Sequence, residues 1–104
     1  MKRHENEHEA TLFSALGDPT RRQILRLLRD GSKDAGEIAA SFALSKPTLS
    51  HHFAVLRDAG LIRAERRGTH VVYTLQSNAL EDLTAAALEL FGAARKPRRK
   101  EPAR

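Results

Sequence analysis

The hydrophobic residues in the first third of the chain recur at helical spacing and predict two short helices. The first covers residues 10–16 and ends at Gly17, and its apolar face is formed by Leu12, Phe13 and Leu16. The second begins after Asp18, a favourable N-cap that is followed by a proline suited to the first helical turn. Its apolar stripe stops before Gly31, which is a natural helix terminator.

Two further helices are predicted at the close spacing of a helix-turn-helix. Asp34 followed by Glu37 forms a capping-box pattern, which marks the start of the third helix. A short break then leads to Ser45, the predicted N-cap of a fourth helix over residues 45–58. Its buried face should be formed by residues at spacings of four and three, namely Leu49, Phe53 and Leu56.

After Gly60 the hydrophobic pattern changes from helical spacing to alternation. Residues 62–75 are rich in β-branched residues and contain the turn sequence "RGTH", so we expect a β-hairpin. A last helix is predicted from about Asn78. Four helices, a hairpin and a final helix give a mainly α fold with a β-hairpin wing (α+β). This is the winged helix-turn-helix architecture.

The formal charge of +5 is distributed unevenly along the 104 residues. The tail "RKPRRKEPAR" carries a net +5, and the remaining residues balance at 12 basic and 12 acidic. Within that remainder, residues 10–77 are basic, whereas residues 1–9 and 78–94 are acidic. A basic centre between acidic flanks indicates an anionic partner more specifically than the total charge does.

The exposed face of the predicted fourth helix combines short hydrogen-bonding side chains with positive charge. Hydroxyls and imidazoles can bond base edges in either direction, and amides at a helix N-terminus attract phosphate oxygens. We therefore predict that this helix enters the major groove of double-stranded DNA. The predicted contact residues are Lys46, Thr48, Ser50, His51, His52 and Arg57.

The predicted hairpin turn is also basic and should lie beside that helix. Arginines at the tip of a hairpin that follows a recognition helix can reach a flanking phosphate or a narrow minor groove. We therefore expect the wing to contact the flanks of the DNA site through Arg66, Arg67, Gly68, Thr69 and His70.

The histidines do not indicate metal chemistry or catalysis. His51 and His52 are adjacent, so on a helix they point about 100° apart, and neither has a carboxylate or a further histidine one turn away. The chain has no cysteine, and no paired acid or activated nucleophile is recognisable, so neither an enzyme nor a cofactor is predicted. His4 and His8 would lie one turn apart if the first helix extended backward; a frayed polar terminus is the simpler interpretation.

Together these residues resemble the ArsR family of small bacterial winged helix-turn-helix repressors, and within it the SdpR-like autorepressor branch. The resemblance covers roughly residues 10–92 and rests on three stretches in family order: "ALGDPTRRQILRLL", "AGEIAASFALSKPTLSHHFAVLRDAGLI" and "ERRGTHVVYTL". It implies a homodimer that binds a pseudo-palindromic operator and represses transcription, commonly of its own operon. By position, the resemblance implies that four residues contact bases and phosphates, as in family members: Lys46, Pro47, Ser50 and His51.

The departures from the family pattern keep two alternatives open. Metal-sensing members carry cysteines where this chain has "GEIAASF", and others carry ligands in a last helix that here contains no histidine. A metal- or ligand-responsive sensor is one alternative, and a protein-interaction winged helix without DNA binding is the other. A protein or small-molecule antagonist is compatible with the family, but the sequence does not identify one.

The last predicted helix has two adjoining apolar stripes, whereas a helix that packs only on its own domain needs one. We therefore expect one stripe to face a second copy of the chain, although a broad face within the chain is the alternative. The predicted dimer interface combines residues of the first and last helices: Leu12, Phe13, Leu16, Leu80, Leu83, Ala87, Leu90 and Phe91.

The length allows one domain with one modest core. We expect a polar segment over residues 1–9, a DNA-binding and dimerisation domain over residues 10–94, and a disordered basic tail over residues 95–104. No apolar run approaches the roughly 20 residues of a membrane span, and the first residues lack the apolar stretch of a signal peptide. A cytoplasmic protein is therefore expected, without membrane insertion.

Overall fold

The computed structural model describes residues 3–92, with side chains from residue 7 onward, so the predicted tail over residues 95–104 lies outside the described part. Five helices and three strands follow one another along the chain. In order they are α1 (Arg3–Leu16), α2 (Pro19–Leu28), β1 (Lys33–Asp34), α3 (Ala35–Ala39), α4 (Lys46–Asp58), β2 (Ile62–Arg67), β3 (His70–Leu75) and α5 (Ser77–Leu90).

The helix starts predicted from capping residues are confirmed by hydrogen bonds. The carboxylate of Asp18 accepts a hydrogen bond from the backbone N–H of Arg21 at 3.1 Å and begins α2. Asp34 caps α3 in a complete capping box, because its side chain and that of Glu37 each accept the other residue's backbone N–H. Ser45 begins α4 in the same way as Asp18 begins α2.

The structure differs from the prediction at three elements. Helix α1 begins at Arg3, well before residue 10, because its polar first half is helical without an apolar stripe that could be read from the sequence. Helix α3 ends at Ala39, whereas the sequence "AGEIAASF", with apolar anchors at Ile38 and Phe42, predicts a helix that continues to residue 42. Strand β1 was not predicted, since its two residues become a strand only by pairing with β3, about 40 residues later.

The three strands form one antiparallel sheet in the order β1-β3-β2. The β2–β3 hairpin closes through a two-residue turn of Gly68 and Thr69, with Arg67 paired to His70 across it. Gly68 has φ +62°, a left-handed conformation that glycine adopts without the cost a side chain would impose. The predicted wing is thereby confirmed, with a third strand at its base.

The core lies between the helices and the inner face of the sheet. Helix α4 contributes its predicted face to this core, since Leu49, Phe53 and Leu56 are buried. The ring of Phe53 stacks on Tyr73 of β3, with ring centroids 4.4 Å apart and an interplanar angle of 26°. This contact fixes the wing relative to α4. In the described part of the chain, no helix is long and apolar enough to span a membrane.

Candidate nucleic-acid interface

The outer face of α4 is a continuous exposed surface on a firmly anchored helix. The buried residues of its inner face include Leu56, which is completely inaccessible to solvent, so the helix cannot rotate without disrupting the core. The side chains predicted to contact DNA from this helix are exposed except for one. The exposed residues are Lys46, Pro47, Thr48, Ser50, His51 and Arg57.

The N-terminal end of α4 is electropositive. Its first turn contains no acidic residue and begins with Lys46, and the helix dipole adds partial positive charge there. The Ser45 hydroxyl caps the turn by accepting the backbone N–H of Thr48 at 3.2 Å and donating to the Thr48 hydroxyl at 2.9 Å. The hydroxyl hydrogen of Thr48 therefore remains free to donate to a phosphate or a base.

His52 is the exception among the predicted contacts. Its side chain is only 12% exposed, and its Nδ1 lies 3.2 Å from the guanidinium of Arg21 on α2. Because a guanidinium can only donate, Nδ1 must accept this hydrogen bond, and the ring proton then lies on Nε2. His52 therefore connects α4 to α2, whereas the neighbouring His51 ring, 5.8 Å away, is exposed.

Arg21 is a site residue that the sequence reasoning missed. Besides His52, its guanidinium donates to the backbone carbonyls of Ala15 at 2.7 Å and Ser14 at 3.0 Å, at the C-terminus of α1. Arg22 donates to the carbonyl of Leu16 at 2.7 Å. The sequence contains a signal for this cap: Arg21 and Arg22 follow shortly after Gly17, which directly follows α1. Basic side chains near the C-terminus of a helix can donate hydrogen bonds to its last carbonyls.

Asp18 completes this connection between helices. Its carboxylate lies 3.9 Å from Nδ1 of His52, so both Asp18 and Arg21 approach the same imidazole. The backbone N–H of Arg21 donates to the carboxylate and lowers the pKa of Asp18 below its ordinary value. Asp18 is therefore charged at neutral pH.

The wing presents its predicted contacts at the hairpin tip, where residues 63–70 are all exposed. Arg67 forms an ion pair with Glu65 at 3.2 Å, and Nδ1 of His70 lies 3.7 Å from the carboxylate of Asp34. At the base of the wing, burial raises the pKa of the Tyr73 hydroxyl, and the charge of Arg57 opposes that shift.

The predicted dimer residues separate into three groups. Leu12 is completely buried in the core of its own chain, so it offers no exposed surface to a second copy. Three more are half-buried: Leu16, Leu83 and Ala87. The remaining four, together with Leu88, are exposed hydrophobic side chains: Phe13, Leu80, Leu90 and Phe91.

The histidines of α1 do not gather metal ligands in the described residues. Nε2 of His8 lies 3.1 Å from the carboxylate of Asp82 on α5, so this histidine joins the two helices. The side chain of His4 lies outside the described part. Among the described side chains, no cluster of three histidines or carboxylates could hold a metal ion.

Comparisons with known proteins identify the family. The family model for "Bacterial regulatory protein, arsR family" matches residues 18–64, from the cap of α2 into β2. The transcriptional repressor SdpR of Bacillus subtilis is 45% identical over 71 residues, which cover 68% of this chain and 79% of SdpR. The chain belongs to the ArsR family.

Other members of the family agree in sequence and fold. The arsenical resistance operon repressor of Staphylococcus xylosus is 36% identical over 72 residues, which cover 69% of either chain. The crystal structure of the ArsR family transcriptional regulator RHA00566 superposes with a TM-score of 0.77 at 28% identity, covering 88% of this chain and 96% of that one. This ArsR protein is thus a DNA-binding transcriptional regulator with a winged helix-turn-helix fold, and the prediction that it is not an enzyme is confirmed.

Proposed function

We propose that this ArsR protein is a dimeric, sequence-specific repressor that binds a pseudo-palindromic operator, acts in the cytoplasm and controls its own operon. Helix α4 enters the major groove, and the wing contacts the flanking DNA. The observation that carries this proposal is the exposed polar face of α4, held rigidly by a buried inner face. SdpR, the similar repressor of B. subtilis, supports repression as the outcome.

The dimensions and chemistry of α4 suit the groove. Its 13 residues span about 20 Å, and a major groove about 12 Å wide accepts one helix. Ser50 and His51 project from the middle of the exposed face and contact bases in this proposal. The side chains of Lys46 and Thr48 contact phosphates and fix the register, and the positive end of the helix dipole favours the same anions.

The protein-interaction alternative is disfavoured by the same face. A docking surface for a protein is expected to present apolar or aromatic anchors that become buried in the partner. The exposed residues of α4 are instead charged, hydroxylated or imidazole side chains apart from Pro47. Four of the six exposed large hydrophobic side chains among the described residues lie on α5 or at its C-cap, where they support the proposed dimer: Leu80, Leu88, Leu90 and Phe91.

Gel shifts with an operator selected from random DNA by the purified protein test this assignment. Replacing Ser50 and His51 together with alanine is expected to weaken binding to the selected sequence by at least about 10-fold, because each specific base contact contributes roughly 1–3 kcal/mol. Binding to unrelated DNA should change little. The matched control replaces Ser77 and Asn78, two adjacent exposed residues of α5, with alanine. Equal affinity of the Ser50/His51 variant and the control for the operator would refute the assignment.

A further inference from the structure

A cavity of about 430 Å³ lies between α2, α5 and the base of the wing, away from the outer face of α4. Six leucines from α1, α2, α5 and the wing base form most of its wall: Leu16, Leu25, Leu61, Leu75, Leu80 and Leu83. The volume falls within the range of small-molecule sites, roughly 300–1,000 Å³, and such sites are mostly apolar with a few polar groups.

The wall of this leucine cavity changes from apolar to charged towards solvent. Leu61 is buried and four of the other leucines are half-buried, so they line its depth. Arg26 and Arg29 also line the cavity and are exposed, so they lie on its solvent side. No carboxylate is found among the described residues that line it, and the one hydrogen bond from the Arg26 side chain goes to the neutral amide of Gln23.

The first turn of α5 adds positive potential to the same side of the cavity. Its N-cap residue, Gln76, makes no side-chain capping hydrogen bond, and its side-chain amide oxygen accepts a hydrogen bond from the guanidinium of Arg63 at 3.2 Å. Gln76 and Ser77 both line the cavity. The first backbone amides of a 14-residue helix therefore remain without a side-chain acceptor beside the two arginines.

We propose that the leucine cavity binds a small amphipathic carboxylate of the medium-chain fatty acid class. The apolar chain packs against the leucines, and the carboxylate bonds to Arg26 and Arg29, whose planar guanidiniums match its two oxygens. This site goes beyond the proposed DNA-binding function and does not depend on it. The competing occupant is a second copy of the chain, because three residues that line the cavity also belong to the predicted dimer interface: Leu16, Leu80 and Leu83.

Calorimetric titration with three probes of equal chain length tests the proposal: decanoate, decanol and decyltrimethylammonium, each below its micellar concentration. Decanoate is expected to bind with one site per chain and at least about tenfold more tightly than the other two probes. Replacing Arg26 and Arg29 together with glutamine should abolish that preference and leave decanol binding unchanged. The control replaces Arg66 and Arg67 of the wing with glutamine, which removes the same charge outside the cavity.

Leucine-methyl NMR spectra locate the bound probe. Decanoate should shift the methyl signals of Leu25, Leu61 and Leu75. The variant Leu25→Phe, once its melting temperature shows that it is folded, should bind decanoate more weakly because the larger ring fills the cavity.

If the wing control lost decanoate binding as the Arg26/Arg29 variant does, the interaction would be nonspecific attraction to positive charge. Three results would overturn the proposal. The first is that decanoate does not bind at all, and the second is that it binds no more tightly than decanol. The third is an affinity for decanoate that falls as rising protein concentration drives self-association through these leucines. The last result would assign the cavity to a second copy.

Discussion

Arg21 connects three helices through one side chain. Its bonds to the end of α1 and to His52 hold α4 against the first helix of the domain. The caps at Asp18, Asp34 and Ser45 could be predicted because each acts on residues three positions away. The role of Arg21 could not, because His52 lies 31 residues later and becomes its partner only in the folded chain.

Replacing Arg21 with glutamine is expected to lower the free energy of unfolding by about 1.5–3 kcal/mol, the range for lost hydrogen bonds to a charged group. Denaturant unfolding measures this change. The matched control is Arg22→Gln, which loses a single bond to the carbonyl of Leu16 and should be less destabilised. If the two variants were equally stable, the bonds of Arg21 to α1 and His52 would contribute nothing measurable.

Asp18 should make stability depend on pH in acid. Its folded pKa is lower than its ordinary value, so its contribution is fully present above about pH 4 and is lost as the pH falls through the folded pKa. Asp18→Asn retains a good N-cap residue and removes the titration. The difference in unfolding free energy between parent and variant should therefore shrink between pH 6 and pH 2. A constant difference across that range would contradict the charge-dependent role.

At the scale of elements, capping residues and hydrophobic spacing predicted most helix starts. The elements that the sequence did not predict depend on contacts with distant parts of the chain or lack a hydrophobic pattern. The hairpin was predicted because its turn sequence and its alternating pattern agree. Strand β1 has only two residues, and its pairing of Lys33 with Tyr73 depends on the prior position of β3. The start of α1 was missed because its first turns have no apolar stripe to mark a buried face.

Helix α3 is only five residues long and should depend on its cap. Asp34→Ala removes the side-chain acceptor of the capping box and is expected to cost roughly 1 kcal/mol or somewhat more, since His70 of the wing also approaches that carboxylate. Thermal and denaturant unfolding measure the loss. Asp30→Ala, at an exposed acid in the preceding turn, serves as the control and should change stability by less than about 0.5 kcal/mol. Equal effects would show that the box is unimportant.

At the scale of the whole molecule, the exposed hydrophobic side chains on α5 are the feature that a single chain leaves unexplained. Phe91 is 85% exposed and Leu88 is 56% exposed. Apolar patches of this kind commonly mark interfaces. The sequence indicated the two stripes of α5, but it could not show that Leu12 of α1 belongs to the core, because helical spacing alone does not say which neighbour covers a face.

Replacing Leu88 and Phe91 together with serine is expected to shift the protein from dimer to monomer at micromolar concentration. The variant should still be folded, with a melting temperature no lower than that of the parent protein diluted until it is monomeric. Sedimentation equilibrium measures the change. Glu89→Ser, at the exposed polar residue between them, should leave the assembly unchanged. A double variant that remains as dimeric as this control would place the interface elsewhere.

The most direct test of the account is a hydroxyl-radical footprint on the selected operator. Two α4 helices in one dimer predict two protected tracts on the same side of the duplex, with centres about 10 bp apart or a multiple of that distance. The Ser50/His51 double alanine variant should lose both tracts together. A single protected tract, or two tracts that persist in that variant, would contradict DNA recognition by paired α4 helices.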